Sequence, residues 1–312
     1  MADPLLSVEG LTRKFGDLVA VAGVSFEVGR GELFGLVGPD GAGKTTTLRM
    51  LAGVLRPTSG DALMDGISMA RDPERAKPRL AYMSQRFGLY ADLTVAENLR
   101  FYADLHLVPR AERAARLERL YRFSNLGPFK DRLAGKLSGG MKQKLGLSCA
   151  LIHQPELLLL DEPTFGVDPV SRRDLWLIVH EMVEQGVTAV VSTAYMDEAE
   201  RFDRLALLHQ GKVLAVDTPA ALQKGLEGEI LELRTDRVRE AREAASRLPS
   251  VRRAAIFGDR LHLTVPSASA DGPGVEAALR QAGFAPREAR PIHPSLEDVF
   301  IERIAAAEAA AA

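Results

Sequence analysis

The sequence predicts an α/β domain built on a mostly parallel sheet, followed by a small α+β domain. Three observations carry that reading. Strand and helix patterns alternate from Leu5 to Ser192. The runs Leu157–Leu160 and Val187–Ser192 are short and largely apolar, as strands buried on both faces are. The pattern changes character near Gly225–Glu229, after which strands and charged helices follow in a new order.

Leu5–Val8 and Val24–Val28 read as strands. Glu32–Val37 is a third, running into a glycine-rich loop, and a helix follows from Gly43 to about Ala52. Gly60–Met64 and Leu80–Ser84 are further strands. Val95–Leu105 and Ala111–Phe123 have helical spacing, the second charged and amphipathic. A helix from about Ser171 to Gln185 separates the two apolar runs named above. This places a first domain at residues 1–224. In the second, residues 225–304, Ile230–Arg234 reads as a strand and Arg239–Leu248 as a helix. Ala254–Phe257 and Arg260–Val265 flank Gly258-Asp259, a hairpin-type turn. Pro266–Gly274 reads as a loop, Gly274–Gln281 as a helix and Ala285–Pro291 as a last strand. The order is βαββαβ, that of ferredoxin-like domains. The alanine-rich tail, residues 305–312, has helical propensity but nothing to pack on, so it is expected to fray.

Acidic residues number 42 and basic ones 40, so the chain has no strong field for holding nucleic acid, and no nucleic-acid partner is expected. Cys149 is the only cysteine, which excludes an intramolecular disulfide and a Cys-rich metal site. It lies in an apolar stretch and reads as a small buried hydrophobe. No signal peptide is recognisable at Met1–Gly10, and no apolar run approaches the roughly 18–20 residues that span a bilayer.

Gly38-Pro39-Asp40-Gly41-Ala42-Gly43-Lys44-Thr45 matches G-x-x-x-x-G-K-S/T between a predicted strand and a predicted helix. Backbone N–H groups of such a loop form a concave anion site, and the helix N-terminus adds positive potential. Lys44 is placed to hold β- and γ-phosphates, and Thr45 to ligate Mg²⁺. Leu157–Glu162 is an apolar strand ending in two acids. Asp161 is a candidate Mg²⁺ support, and Glu162 a candidate base for an attacking water. Leu137-Ser138-Gly139-Gly140-Met141-Lys142-Gln143 opens another helix. Ser138 there is a plain N-cap or part of a second anion site with the exposed glycine N–H groups.

Taken together, these segments resemble an ABC transporter ATPase over about Leu5–Ala221. Gly38–Thr45 matches Walker A, Gln85 the Q-loop glutamine, Leu137–Gln143 the signature, Leu158–Thr164 Walker B, and Gly166-Val167-Asp168 the D-loop. Asp161–Pro169 and Leu296-Glu297-Asp298-Val299-Phe300 resemble drug and small-molecule exporter ATPases with an extra C-terminal domain. The resemblance implies a P-loop NTPase fold with an antiparallel β subdomain and a helical subdomain at about residues 85–150. It implies ATP and Mg²⁺ as cofactors, with Thr46 joining the loop at the phosphates and Gln85 joining Thr45 and Asp161 at the metal. It implies head-to-tail pairing with a second ATPase subunit, in a homodimer or heterodimer. Ser138, Gly139 and Gly140 then act on the partner's ATP. Phe15 is where the family sets an aromatic against adenine. Separate transmembrane permease subunits, contacted by the Gln85 segment, and a peripheral place on the cytoplasmic side of the membrane are also implied.

Three positions depart from the family pattern. Ala194 stands where a histidine normally meets the γ-phosphate and water, Asp40 where Asn is more common, and Phe165 where a small residue is common. Ala194 predicts a slow site. The competing readings are a soluble ABC-type ATPase without membrane subunits and a slow-turnover nucleotide-binding regulatory subunit. His262 and His293 read as isolated structural or solvated side chains.

Overall fold

The computed structural model describes residues 3–85, 88–287 and 289–311. The chain forms two compact units, Met1–Asp217 and Thr218–Ala312.

The first unit contains two sheets. Strands β1 (Leu6–Phe15), β2 (Leu18–Val28), β4 (Ser59–Met64) and β5 (Ile67–Ser68) form an antiparallel sheet in the order β2-β1-β4-β5. The other sheet uses β3 (Leu33–Val37), β6 (Leu80–Met83), β7 (Leu157–Asp161), β8 (Thr188–Thr193), β9 (Arg204–His209) and β10 (Lys212–Asp217). Its order is β10-β9-β3-β8-β7-β6, parallel except for the β9–β10 hairpin. The largely apolar runs become inner strands of this sheet: every residue of β3, β7 and β8 is buried. The antiparallel sheet shares its core with this one, through Phe26 stacked on Phe34 at 5.0 Å among other contacts. β1 and β2 run well beyond the predicted strands because they pair with each other along their whole length across several register shifts.

Helices Val95–Leu105, Arg110–Ser124 and Gly139–Leu151 lie between β6 and β7. The first starts with a capping box, in which Thr94 and Glu97 satisfy each other's backbone N–H. Cys149 is fully buried in the third, and burial pushes its thiol pKa far up, so it is an inert core residue.

The second unit holds β11 (Glu229–Arg234), β12 (Arg253–Phe257), β13 (Arg260–Val265) and β14 (Arg290–Ile292), antiparallel in the order β12-β13-β11-β14. Several segments differ from the sequence expectations. The helix Pro219–Lys224 groups with this unit rather than the first, where it packs against the helix Leu296–Ala311. The segment predicted as the loop Pro266–Gly274 is mostly helix, since one helix spans Ala268–Gln281 with Pro273 inside it. Burial of Ala268 and Val275 and packing of Gly272 against Leu231 outweigh the local proline and glycine signals. The alanine-rich tail continues the last helix through Ala311, as alanine's propensity favours, although residues 306–309 are exposed. The last strand is also shorter than predicted, Arg290–Ile292, and Glu288 lies outside the described residues.

His262 is not isolated. Its Nδ1 lies 2.8 Å from Asp298 Oδ1, and both residues are buried. Asp298 Oδ2 also accepts hydrogen bonds from the Ser295 N–H and hydroxyl at 2.8 and 2.6 Å. Burial raises the Asp298 pKa, but the His262 and Ser295 hydrogen bonds outweigh it and hold the carboxyl below its usual value. A carboxyl with a depressed folded pKa stabilises above its unfolded value and loses that contribution as pH falls through the folded one. Asp298→Ala leaves His262 and Ser295 without this partner, and we expect a loss of about 1–3 kcal/mol at neutral pH. The deficit relative to wild type should shrink as pH falls below about 4. Urea unfolding at several pH values checks both; a pH-independent deficit would mean that packing, not charge, is what Asp298 supplies.

Candidate functional site

The glycine loop leaves β3 at Val37 and enters the helix Lys44–Leu51. Gly43 has φ of 100°, and a Cβ there would lie 2.7 Å from the Ala20 carbonyl oxygen. Only glycine fits this turn. That cleft has a volume of about 690 Å³. Phe15, Leu18 and Val19 line it at β1 and β2, and Asp40 through Thr46 line it at the loop. Gln85, Glu162, Phe165 and Gln210 complete it.

Lys44 is only 4% exposed, and its Nζ donates to the carbonyls of Gly38 (2.8 Å) and Pro39 (3.1 Å). The same ammonium pairs with Glu162 Oε1 at 3.1 Å. Gln85 Nε2 donates to the other Glu162 oxygen at 3.0 Å. Thr45 Oγ1 donates to Asp161 Oδ1 at 2.9 Å. Residues far apart in sequence thus converge: Lys44, Gln85 and Glu162 form one cluster, Thr45 and Asp161 another.

Glu162 owes its position to an unusual backbone. Its φ is +48°, in the left-handed region that costs a non-glycine residue roughly 1–2 kcal/mol. Its N–H is held by the Ser192 carbonyl at 3.2 Å and the Ser192 hydroxyl at 3.0 Å. The chain therefore turns sharply after Asp161 and sends the adjacent carboxylates to different partners, Asp161 to Thr45 and Glu162 to Lys44 and Gln85.

Two neighbours escaped the sequence reading. Ser192 Oγ donates to Asp161 Oδ1 at 2.8 Å, and Tyr82 OH donates to Asp161 Oδ2 at 3.2 Å. Burial and then the Asp161 charge push the Tyr82 pKa up to about 12, so the phenol stays a proton donor. Behind them lies a buried carboxylate. Glu198 accepts from Thr164 (3.0 Å), Thr193 (2.7 Å) and Trp176 Nε1 (3.1 Å). It ties the segment after Glu162 to the end of β8. The signal for Ser192 was its place at the end of an apolar strand, beside another ending in acids.

Phe15 is 46% exposed at the end of β1, with the Arg13 guanidinium 4.6 Å from its ring centroid. Phe165, also lining the cleft, is 54% exposed. A cationic cradle with an aromatic rim suits a ligand that joins a planar ring to a multiply charged anion. The paired oxygens of Thr45 and Asp161 are the hard donors that a Mg²⁺ shared with phosphates and water requires. No cluster of three or more His, Cys, Asp or Glu that could hold a metal ion is found among the described residues.

Ser138, Gly139 and Gly140 do not line this cleft. Ser138 is exposed and caps its helix, accepting from Met141 N–H at 3.3 Å. Both sequence readings of Ser138 are therefore compatible with its position. Gly140 is buried against the next helix: a Cβ there would sit 2.1 Å from Ser171 Oγ and 2.3 Å from Ser171 Cβ. Lys144, one turn on, pairs with Asp174 at 2.5 Å. We expect Gly140→Ala to destabilise by about 1–3 kcal/mol through overpacking. Thermal unfolding checks this, and an unchanged midpoint would mean that Ser171 moves aside freely.

A family model described as ABC transporter matches residues 21–165. Over 304 residues the chain is 35% identical to the Nod factor export ATP-binding protein I of Paraburkholderia xenovorans (strain LB400), covering 96% of this chain and 97% of that protein. The chain belongs to the ABC transporter family. It is also 42% identical over 312 residues to the probable multidrug ABC transporter ATP-binding protein YbhF of Escherichia coli (strain K12). That match covers 98% of this chain and 53% of YbhF, so the chain spans about half of that relative's length. A solved structure of an ATP binding subunit of an ABC transporter superposes with a TM-score of 0.65 at 33% identity, covering 70% of this chain and 92% of that one. Among the described residues, no helix is long and apolar enough to cross a membrane.

Proposed function

We propose that this chain binds and hydrolyses ATP as the motor subunit of an ABC exporter. The observation that carries the reading is the convergence of Lys44, Gln85 and Glu162, beside Thr45 and Asp161, in a cleft with an aromatic rim. In this reading Lys44 leaves Glu162 to hold the phosphates, with the N–H groups of Gly38–Thr46 around them. Glu162 accepts a proton from the attacking water and Gln85 orients the site. Phe15 stacks on adenine. Thr45, Gln85 and Asp161 would hold Mg²⁺, which when bound offsets phosphate charge.

Exposed Ser138 and Gly139, with the buried Gly140 behind them, fit contact with ATP held by a second ATPase subunit, the same chain or a different one. Relatives named as a probable multidrug ABC transporter ATP-binding protein, a daunorubicin resistance ATP-binding protein and a Nod factor export ATP-binding protein support an export role with separate permease subunits, served peripherally from the cytoplasmic side of the membrane. The second unit, by its βαββαβ order and its sheet order, we assign to the ferredoxin-like class. Residues 85–150 we assign as the helical subdomain.

The test is co-purification from membranes together with sizing in ATP. We expect a multi-span protein to accompany the full chain, and ATP to drive pairing. A chain that stays monomeric in ATP and brings down no membrane protein would exclude the motor reading. Ala194 favours a second reading, a nucleotide-binding subunit of slow turnover. Rapid ATP binding with negligible hydrolysis beside its membrane partners would select it.

A further inference from the structure

We propose that the second unit carries an anion site for a phosphate-bearing ligand, in an arginine-lined cleft on the sheet face that points away from its leucine core. Strand alternation sets the face. Leu231, Leu233, Leu261 and Leu263 point into the unit's core. Glu232 and Arg234 of β11 therefore face the other way, with Arg260 of β13 and Arg290 of β14. The register makes these residues neighbours, pairing Glu232 with Arg290 and Arg234 with Arg260. Together with Arg287 they line a cleft of about 420 Å³.

Glu232 is 7% exposed. One of its oxygens accepts from Arg260 Nη1 at 2.5 Å, and the other from Arg290 Nε at 2.8 Å, with Arg290 Nη2 2.6 Å away. A buried carboxylate is tolerable only when paired in this way. Burial pushes its pKa up, and the two arginines outweigh burial and hold it low. Glu232 thus fixes two guanidinium groups in place, and each guanidinium has five N–H donors, more than Glu232 uses.

An ion-pair network alone does not account for the composition. Among the described lining residues, four arginines against one glutamate leave three positive charges. Exposed Asp259, 3.7 Å from Arg234 and 3.6 Å from Arg260 at the rim, offsets one. Arg287 has no ion pair among the described residues. The excess sits in a chain whose net charge is −2. Among the described residues no aromatic or aliphatic side chain lines the cleft, so recognition is of anionic oxygens rather than of a ring or acyl chain. Preorganised guanidinium forks match phosphate geometry. A soluble phosphate compound and an anionic lipid headgroup share that chemistry.

Glu232 takes its hydrogen bonds from Arg260 and Arg290, not from Arg234 or Arg287, so the double substitution Arg234→Gln, Arg287→Gln spares the buried network. The experiment uses the full chain with its ATP loop saturated by a non-hydrolysable ATP analogue. One arm titrates inorganic pyrophosphate by calorimetry. The other floats the protein on phosphatidylcholine vesicles with and without phosphatidylglycerol. We expect saturable binding in one arm, weakened about tenfold or more by the double substitution, with an unchanged melting temperature. Pyrophosphate binding identifies a soluble ligand, and flotation only with phosphatidylglycerol identifies a headgroup. Absence of binding in both arms, or equal binding by wild type and variant, overturns the proposal.

Discussion

Glu162→Gln is expected to lower ATP hydrolysis by about 10²–10⁴-fold while leaving ATP binding intact or stronger. The rate loss follows from the base: an amide of the same shape cannot accept the proton of water. The effect on binding follows from the Lys44 contact. In the structure Glu162 Oε1 holds Lys44 Nζ at 3.1 Å, so a phosphate must displace a carboxylate to reach the lysine. Glutamine keeps the volume and removes that competing charge. Lys44 still has the Gly38 and Pro39 carbonyls, so it is not stranded. Phosphate release in steady state and fluorescent ATP-analogue binding measure the two effects separately. Hydrolysis near the wild-type rate would remove Glu162 from the chemistry, and weaker binding would mean that the Lys44–Glu162 pair shapes the loop rather than competing with nucleotide.

The parts of this site that were legible in the sequence are those whose chemistry is contiguous. Gly38–Thr45 places its glycines, lysine and threonine within one strand–loop–helix turn, and the structure builds that turn where the motif implies. Asp161 and Glu162 were legible because an apolar strand ends in them. Ser192 and Tyr82 were not, because they reach Asp161 only through sheet register. Ser192 lies 31 residues from Asp161 and faces it because β7 and β8 pair Asp161 with Ser192. Tyr82 lies 79 residues away and arrives through β6 beside β7. Glu198 was invisible for the same reason: three donors from separate elements converge on it. Pro273 misled for another reason. Local signals predicted a loop, and burial of Ala268 and Val275 kept the helix. His262 could not be read as paired until β13 and the last helix were brought together.

Ala194→His is expected to raise turnover by about 10²–10³-fold, if the site lacks only the donor that this position usually supplies. The backbone is already prepared. β8 ends at Thr193, whose carbonyl accepts from Gly38 N–H at 3.3 Å, so residue 194 follows directly beside the phosphate loop. On either side the chain is pinned. Thr193 Oγ1 donates to buried Glu198 and accepts from Tyr195 N–H at 3.0 Å, while the Tyr195 ring lies 4.5 Å from the Arg172 guanidinium. Ala194 is half-buried and is not among the residues lining the cleft, since a methyl group reaches no further. A histidine placed on this fixed frame adds reach and a hydrogen-bond donor without asking the backbone to move, and a preorganised donor is the kind that lowers a barrier. Single-turnover hydrolysis by the substituted chain, alone and with its membrane partners, measures the gain. If the rate is unchanged while Glu162→Gln is inactive, Glu162 and Gln85 suffice and the alanine is tolerated variation. If turnover rises only in the presence of a second, different ATPase subunit, the missing histidine is compensated across the pair, and this chain's site is the slower half of a heterodimer.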